Sequence, residues 1–467
     1  VSTDKRRIRA AGGATARAAR RAVAPFGYSG YPRLAVAMLA MVLGQGTWAL
    51  STVFQVMADG GDPVALSTVT AIGAAGLVVF ALIGGGAADR LPPHRVLLGV
   101  VVVVTSVVSV VTVLSATGNL ATWQLAAASF VIFSGVAMFY PSYSASLPRL
   151  LPPDKLLAAN GVEGSARPLL QAAAGPALAG LLAAAWGPWA GFAVVAICGL
   201  IAVVILLGLK VPPLEHLGPQ GDPEGATTDT GSIKITGSGV DPAGTALPAE
   251  TPGGRGGAFG RVLADMREGV RYTVKTPWLL GTLVFAVIAI FFFLGPLEIL
   301  LPFVVRDSLG GGAAEVGLLL GVMGVASSLG AMIVAGLPYP RRYLTMIVLV
   351  WGFGTLPLAF VGYTSSWLAM VAILIVVGAS DGIGQVLWGT LLQRRVPGWM
   401  LGRISSLDFF VSLLLLPVSM AVVGPLSIVV PIPVIFVIAA LVPAVAAVIV
   451  WWLARMAADE AANPLRS

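Results

Sequence analysis

Residues 96–116 read VLLGVVVVVTSVVSVVTVLSA, an apolar run without a charge, and Arg90 and Arg95 stand just before it. A helix crosses a bilayer with roughly 20 apolar residues, and this run has that length. In lipid the backbone must satisfy its own hydrogen bonds, so only helices or a closed barrel can span. A barrel strand alternates apolar and polar positions over about ten residues. This run is continuous, which rejects the barrel. Working outward, similar runs lie near 34–56, 67–88, 122–144, 158–184 and 188–209. A second set lies near 278–304, 315–336, 343–362, 367–391, 404–425 and 432–455. The predicted fold is an all-α polytopic membrane protein with twelve transmembrane helices. Composition agrees: 57% of the 467 residues are hydrophobic and 10% charged, against about 25% charged in a soluble domain.

The arginines test the count, because basic residues collect in cytosolic loops. Arg90 and Arg95 lie between the second and third runs, and Arg149 and Lys155 between the fourth and fifth. Arg341 and Arg342 follow the eighth, and Arg394, Arg395 and Arg403 follow the tenth. A basic stretch from Lys5 to Arg21, the long central loop and Arg455 fall on the same side. The opposite loops hold Arg306 beside Asp307, with Asp59 and Asp62. One miscounted span in the middle would scramble this segregation. The expectation is an even number of spans with both termini cytosolic, in a bacterial plasma membrane. The net charge of +7 is thereby accounted for without nucleic acid.

The halves repeat. Leu91-Pro92-Pro93-His94-Arg95 resembles Leu337-Pro338-Tyr339-Pro340-Arg341, and Arg149 with Pro152 matches Arg394 with Pro397, at offsets of 246, 245 and 245 residues. Duplicated six-helix halves are a mark of carriers that rock about a midplane site. The expected organisation is a basic cytosolic arm (1–31), a six-helix bundle (32–209), a linker (210–277), a second six-helix bundle (278–455) and a cytosolic tail (456–467). The linker is rich in Gly, Pro, Thr and Ser, too apolar-poor to fold over 210–257. It ends in an amphipathic helix, 258–275, with Phe259, Val262, Leu263, Met266 and Val270 on one face. The arm has no cleavable signal pattern, so the first run is expected to remain as a span.

The chain has one cysteine, Cys198, and two histidines, His94 and His216, far apart. No disulfide framework and no His- or Cys-rich metal site is possible. No Gly-Lys dipeptide occurs, so the chain carries no phosphate-binding loop for an ATP-driven pump. No cofactor is implied, and nothing points to an enzyme.

These features resemble the major facilitator superfamily, and more closely its drug and siderophore exporter branch, which includes Tap-like multidrug efflux pumps and enterobactin exporters. The carriers are Gly85-Gly86-Ala87-Ala88-Asp89-Arg90, Leu147-Pro148-Arg149-Leu150-Leu151-Pro152-Pro153, Ala158-Ala159-Asn160 and Gly175-Pro176-Ala177-Leu178-Ala179-Gly180 in the first half. In the second they are Asp265-Met266-Arg267-Glu268-Gly269-Val270-Arg271-Tyr272, Gln393-Arg394-Arg395-Val396-Pro397 and Gly402-Arg403. Two departures stand out. Pro93 and His94 occupy positions usually basic, and Gln171 stands where the antiporter motif has glycine. The resemblance implies two six-helix pseudo-symmetric bundles working as a monomer. It also implies a latch at the cytosolic mouth, in which Gly85, Asp89 and Arg90 form the motif and Arg90 or Arg95 pairs with Asp408.

Two acids fall within apolar runs, where burial is expensive and marks function. Glu298 lies between Pro296 and Pro302, and Asp381 lies in Gly378-Ala379-Ser380-Asp381-Gly382. Such a carboxyl can load and release a proton as access alternates, or face a cationic substrate; a structural hydrogen bond is the bland alternative. Tap-like sequences tend to carry an acid at the place of Glu298. Arg167 stands inside the fifth run with Glu163 one turn earlier, either a self-shielding pair or a switchable partner for substrate or proton. Gln45, Trp48 and Gln55, with Tyr140, Tyr143, Gln385 and Trp388, suit a cavity for bulky, partly apolar ligands. Gly175 and Pro176 suggest a hinge. The expected function is proton-coupled efflux of amphipathic drugs or small metabolites by alternating access. A lysophospholipid or siderophore carrier is the alternative, and a membrane sensor or enzyme a remote one.

Overall fold

Proline opens helix after helix in this chain. Pro63, Pro93, Pro153, Pro188 and Pro277 each occupy a first helical position, where a missing N–H leaves no bond unmade and the fixed φ suits the first turn. The computed structural model describes residues 24–88, 92–209, 258–337 and 339–465. Asp89, Arg90, most of the arm and the linker over 210–257 therefore lie outside the described residues, as does the side chain of Arg403.

The helices of the first half are α1 (Tyr31–Ala58), α2 (Pro63–Ala88), α3 (Pro93–Ala116), α4 (Thr122–Leu150), α5 (Pro153–Ala166), α6 (Gly175–Trp186) and α7 (Pro188–Leu207). After the linker come α8 (Ala258–Lys275), α9 (Pro277–Gly295), α10 (Leu301–Leu309), α11 (Ala313–Ala335), α12 (Tyr343–Gly354), α13 (Trp367–Arg395), α14 (Gly398–Val429), α15 (Ile432–Leu453) and α16 (Met456–Ala462). Two expected spans are not regular rods. A π-helical segment, Arg167–Ala174, joins α5 to α6, and another, Pro296–Leu300, joins α9 to α10. Each has a proline in its first two positions, and a proline removes one ladder bond and loosens the turn.

Among the described residues, eleven helical rods are long and apolar enough to cross a bilayer. The twelfth expected span falls in α14, which extends beyond 404–425 at both ends and carries the apolar stretch Leu415–Val429. Its 32 residues are ample for a crossing at about 1.5 Å each. Tight turns between rods use glycine where the backbone is left-handed, as at Gly310 with φ 65°.

Helices pack on one another within each half, while one buried apolar cluster runs across both halves, from Leu34 and Phe192 to Phe303 and Phe436. In the first, α1 and α3 lie on α7, and α2 and α3 on α4; in the second, α9 lies on α14 and α15, α11 on α13 and α12 on α15. The halves meet along two seams, α2 against α14 and α6 with its π segment against α11. The repeat offset carries α2 onto α11 and α6 onto α14, so the two seams are one contact made twice. Small residues let backbones approach in such seams. A Cβ on Gly180 would stand 2.4 Å from the Ala313 carbonyl oxygen, and one on Gly317 2.6 Å from that of Pro176. On the other seam Gly424 N–H donates to Ser67 Oγ at 2.8 Å. These approaches lie toward the arginine-poor face, or mid-helix at Gly324, where a Cβ would meet the Ala172 carbonyl oxygen at 2.5 Å. Toward the arginine-rich face α5 packs mainly on α1, α4, its π segment and the turn Ala24–Gly27, all in its own half. The described contacts between halves thus gather at the arginine-poor face.

The tail expected at 456–467 holds a docked helix, α16. Met456 and Glu460 are buried, and Arg395 pairs with Asp459. The amphipathic helix is present as α8 and packs on α9 and α14. Val270 and Val274 on it are exposed.

Candidate functional site

The inner helices of both halves carry their ionisable residues where the helix is irregular. In the first half, Pro168 lacks an N–H and the π segment begins beside it, with Arg167 at its start. The π segment, rare in itself, is a frequent companion of functional sites. Arg167 Nη2 donates to Glu163 Oε1 at 2.9 Å, and the guanidinium carbon stands 3.8 Å from the centre of the Tyr140 ring. Tyr140 in turn donates to Gln45 Oε1 at 3.3 Å, and Gln171 Nε2 reaches the same oxygen at 3.4 Å. Among the described residues, Gln45 Nε2 and Arg167 Nε are buried without a hydrogen-bond partner. Four elements therefore bring a cation, its carboxylate partner, a phenol and two amides into one cluster. It has spare hydrogen-bond donors suited to an acceptor group.

In the second half, a partly open cavity lies among α9, α12, α13 and α14. Its polar groups include Ser380, Asp381, Gln385, Trp388 and Asp408, and Phe293 and Trp351 are among its aromatic walls. Ser327 Oγ donates to Asp381 Oδ2 at 3.4 Å. The Trp388 indole N–H donates to Asp408 Oδ2 at 3.1 Å. Two carboxylates with aromatic surfaces can hold a basic, partly apolar solute by charge and cation–π attraction.

Glu298 sits in the second π segment. Leu297, Ile299 and Leu300 around it are buried, whereas the Glu298 side chain is exposed. Its segment packs on α14 and α15 and also on α2 of the other half. Its exposed carboxyl thus stands on a segment that touches both halves. Glu298 makes no hydrogen bond or ion pair with any described residue.

Several sequence expectations fall elsewhere. Trp48 is buried with its ring 5.0 Å from that of Phe192, so it is core and not cavity wall. Gln55 is also buried: it donates to Asp59 and accepts from Ser115 at 2.6 Å, at the arginine-poor end of α1. Tyr143 is fully buried and stacked on Phe139. Gly175 and Pro176 form a tight crossing. A Cβ on Gly175 would stand 2.7 Å from the Gly46 backbone, and the irregular segment lies just before it. Arg95 is exposed and Asp408 is engaged by Trp388, so the Arg95 form of the expected latch pair is absent among the described residues, while the Arg90 form lies outside them. That pairing needs the halves joined at the arginine-rich face, and the described contacts between them gather at the other. Gly85 lies in α2.

Sequence reading missed Ser327 and Ser419. Ser419 stands two residues after Pro417, and a hydroxyl beside a helix-breaking proline was the available signal. Among the described residues no group of three His, Cys, Asp or Glu side chains is placed to hold a metal.

Two related bundles of membrane helices, with charged and aromatic side chains on their inner faces, define a solute carrier. The sequence profile of the Major Facilitator Superfamily matches residues 36–415, and the chain belongs to that superfamily of secondary transporters. An uncharacterized MFS-type transporter of Sinorhizobium fredii, y4rN, is 26% identical over 286 residues, spanning 60% of this chain and 59% of that relative. The chain thus matches about three-fifths of that relative's length. Among solved structures, the nucleoside transporter NupG aligns over 91% of this chain and 99% of its own, with a TM-score of 0.64 at 9% identity. A POT family transporter in complex with 5-aminolevulinic acid aligns over 91% and 96%, at 0.63 and 12% identity. The inward-open xylose transporter XylE from E. coli aligns over 90% and 95%, at 0.60 and 13% identity. At these identities the likeness is one of fold.

Proposed function

We propose that this chain is a proton-coupled exporter of amphipathic drugs or small metabolites, working by alternating access in a bacterial plasma membrane with both termini cytosolic. The arginine-rich face is then the cytosolic one, by the positive-inside rule. The observation that carries the reading is Glu298, an unpartnered carboxyl at the seam between the halves. A carboxyl there changes its access as the halves rock, which is what a coupling group needs. Asp381 and Asp408, beside Trp388 and Gln385, suit the basic end of an amphipathic solute. The Gln45–Tyr140–Arg167 cluster suits an acceptor group on the same solute, with Glu163 holding the guanidinium in place.

The test uses the purified chain in vesicles. A lipophilic dye or drug is expected to move only when a pH gradient is imposed, and Glu298→Gln is expected to abolish that movement while the protein stays folded. Movement that ignores the gradient and survives the substitution would overturn the reading. Competition by lysophospholipid, with no movement of drug, would favour a lipid carrier instead.

A further inference from the structure

A helical N–H and the carbonyl four residues before it are normally partners. At the end of α9 one side chain bonds both members of such a pair. Gly295 N–H donates to Ser419 Oγ at 3.1 Å, and the same hydroxyl donates to the Phe291 carbonyl at 2.6 Å. Ser419, fully buried on α14, thus bridges two backbone groups of the α9 ladder. A side chain that enters a ladder opens and bends a helix. Gly295 makes room for it: a Cβ there would stand 2.5 Å from Ser419 Oγ and 2.8 Å from Val423. The π segment with Glu298 begins at the next residue.

Five residues further along α14, Gly424 grips the other half. Its N–H donates to Ser67 Oγ of α2, and a Cβ on it would stand 2.5 Å from the Pro63 carbonyl oxygen. The two contacts are about 7.5 Å apart along the axis of one helix. One rod therefore touches both the seam and the turn that carries Glu298.

We propose that Ser419 is a positioning residue that ties the orientation of Glu298 to closure of the arginine-poor face. When that face opens and the Ser67–Gly424 bond breaks, α14 shifts and the hydroxyl withdraws. Gly295 and Phe291 then pair directly, and the turn bearing Glu298 rotates. The functional meaning rests on Glu298 as the coupling carboxyl, but the test reads position, not transport.

The full chain carrying Cys198→Ala and Glu298→Cys is reconstituted, and its labelling rate with a water-soluble maleimide is measured. Adding Ser419→Ala is expected to change that rate about fivefold, the factor that one hydrogen bond sets between two helix conformers. Ser67→Ala is expected to move it in the same direction. Gly295→Ala, whose methyl displaces the hydroxyl, repeats the result should Ser419→Ala fold poorly. Labelling at Ala289→Cys, in α9 ahead of the bridge, is expected to stay unchanged. Unchanged labelling at position 298 with both Ser419→Ala and Gly295→Ala overturns the proposal, and so does an equal change at position 289. If Glu298→Gln transports normally, the coupling role fails while the labelling comparison still decides the positioning claim.

Discussion

At the scale of single residues, Arg167 has the most demanding surroundings. Its planar head lies over the Tyr140 ring and bonds Glu163 at once. A lysine ammonium is a point charge and cannot keep both contacts. Arg167→Lys is therefore expected to lower transport about tenfold, the factor set by roughly 1.4 kcal/mol of lost contact, as read by initial rates in vesicles. The pair itself adds little to stability, because the two side chains are 40% and 18% exposed. Glu163→Gln is expected to shift unfolding by less than about 1 kcal/mol, so a thermal melt in detergent would stay nearly still. A large drop in the melt would mean that the pair is structural glue.

At the scale of helices, the sequence announced the rods but not their faces. A surface helix of a soluble protein shows its inner face by amphipathic periodicity. A rod with lipid on one side and apolar protein on the other loses that signal. Trp48, Gln55 and Tyr143 looked like Gln45 and Tyr140 in sequence for this reason, and only packing separated them. The acids were legible because a charge within an apolar run is rare enough to stand out, as with Glu298 and Asp381. The prolines told where helices start, yet not that Pro168 and Pro296 would open π segments. The docking of α16 was illegible too, since its partners are distant in sequence. Glu460 accepts from Leu344 N–H at 3.0 Å, Thr345 N–H at 3.2 Å and Thr345 Oγ1 at 2.6 Å. It caps the start of α12 from another helix, where free N–H groups and the helix dipole favour an anion. Glu460→Ala is expected to destabilise the second half by about 1–3 kcal/mol through those orphaned donors, visible as an earlier melt. At the crossing of α1 and α6, Gly175→Ala is expected to cost about 1–3 kcal/mol by overpacking, because its new methyl meets the Gly46 backbone.

At the scale of the whole molecule, a duplicated chain makes its two seams equivalent, and alternating access requires both to open together. The structure offers a place to test this. A Cβ on Gly321 of α11 would stand 3.4 Å from the Ala177 Cβ of α6, near the roughly 3.5–4.5 Å span of a disulfide. Ala177→Cys with Gly321→Cys should cross-link the halves on oxidation, and the one native cysteine, Cys198, is buried and poorly placed to compete. The oxidised protein is expected to stop transporting, because a carrier locked at one seam cannot expose its site on the second side. Reductant should restore transport, and either single variant should remain active under oxidation. The Ser67–Gly424 contact lies on the opposite seam, so its loosening by Ser67→Ala should leave the cross-linked form inactive: one locked seam holds both. Transport by the oxidised pair would mean that the halves do not rock as units, and the carboxyl between them would then need another route to change its access.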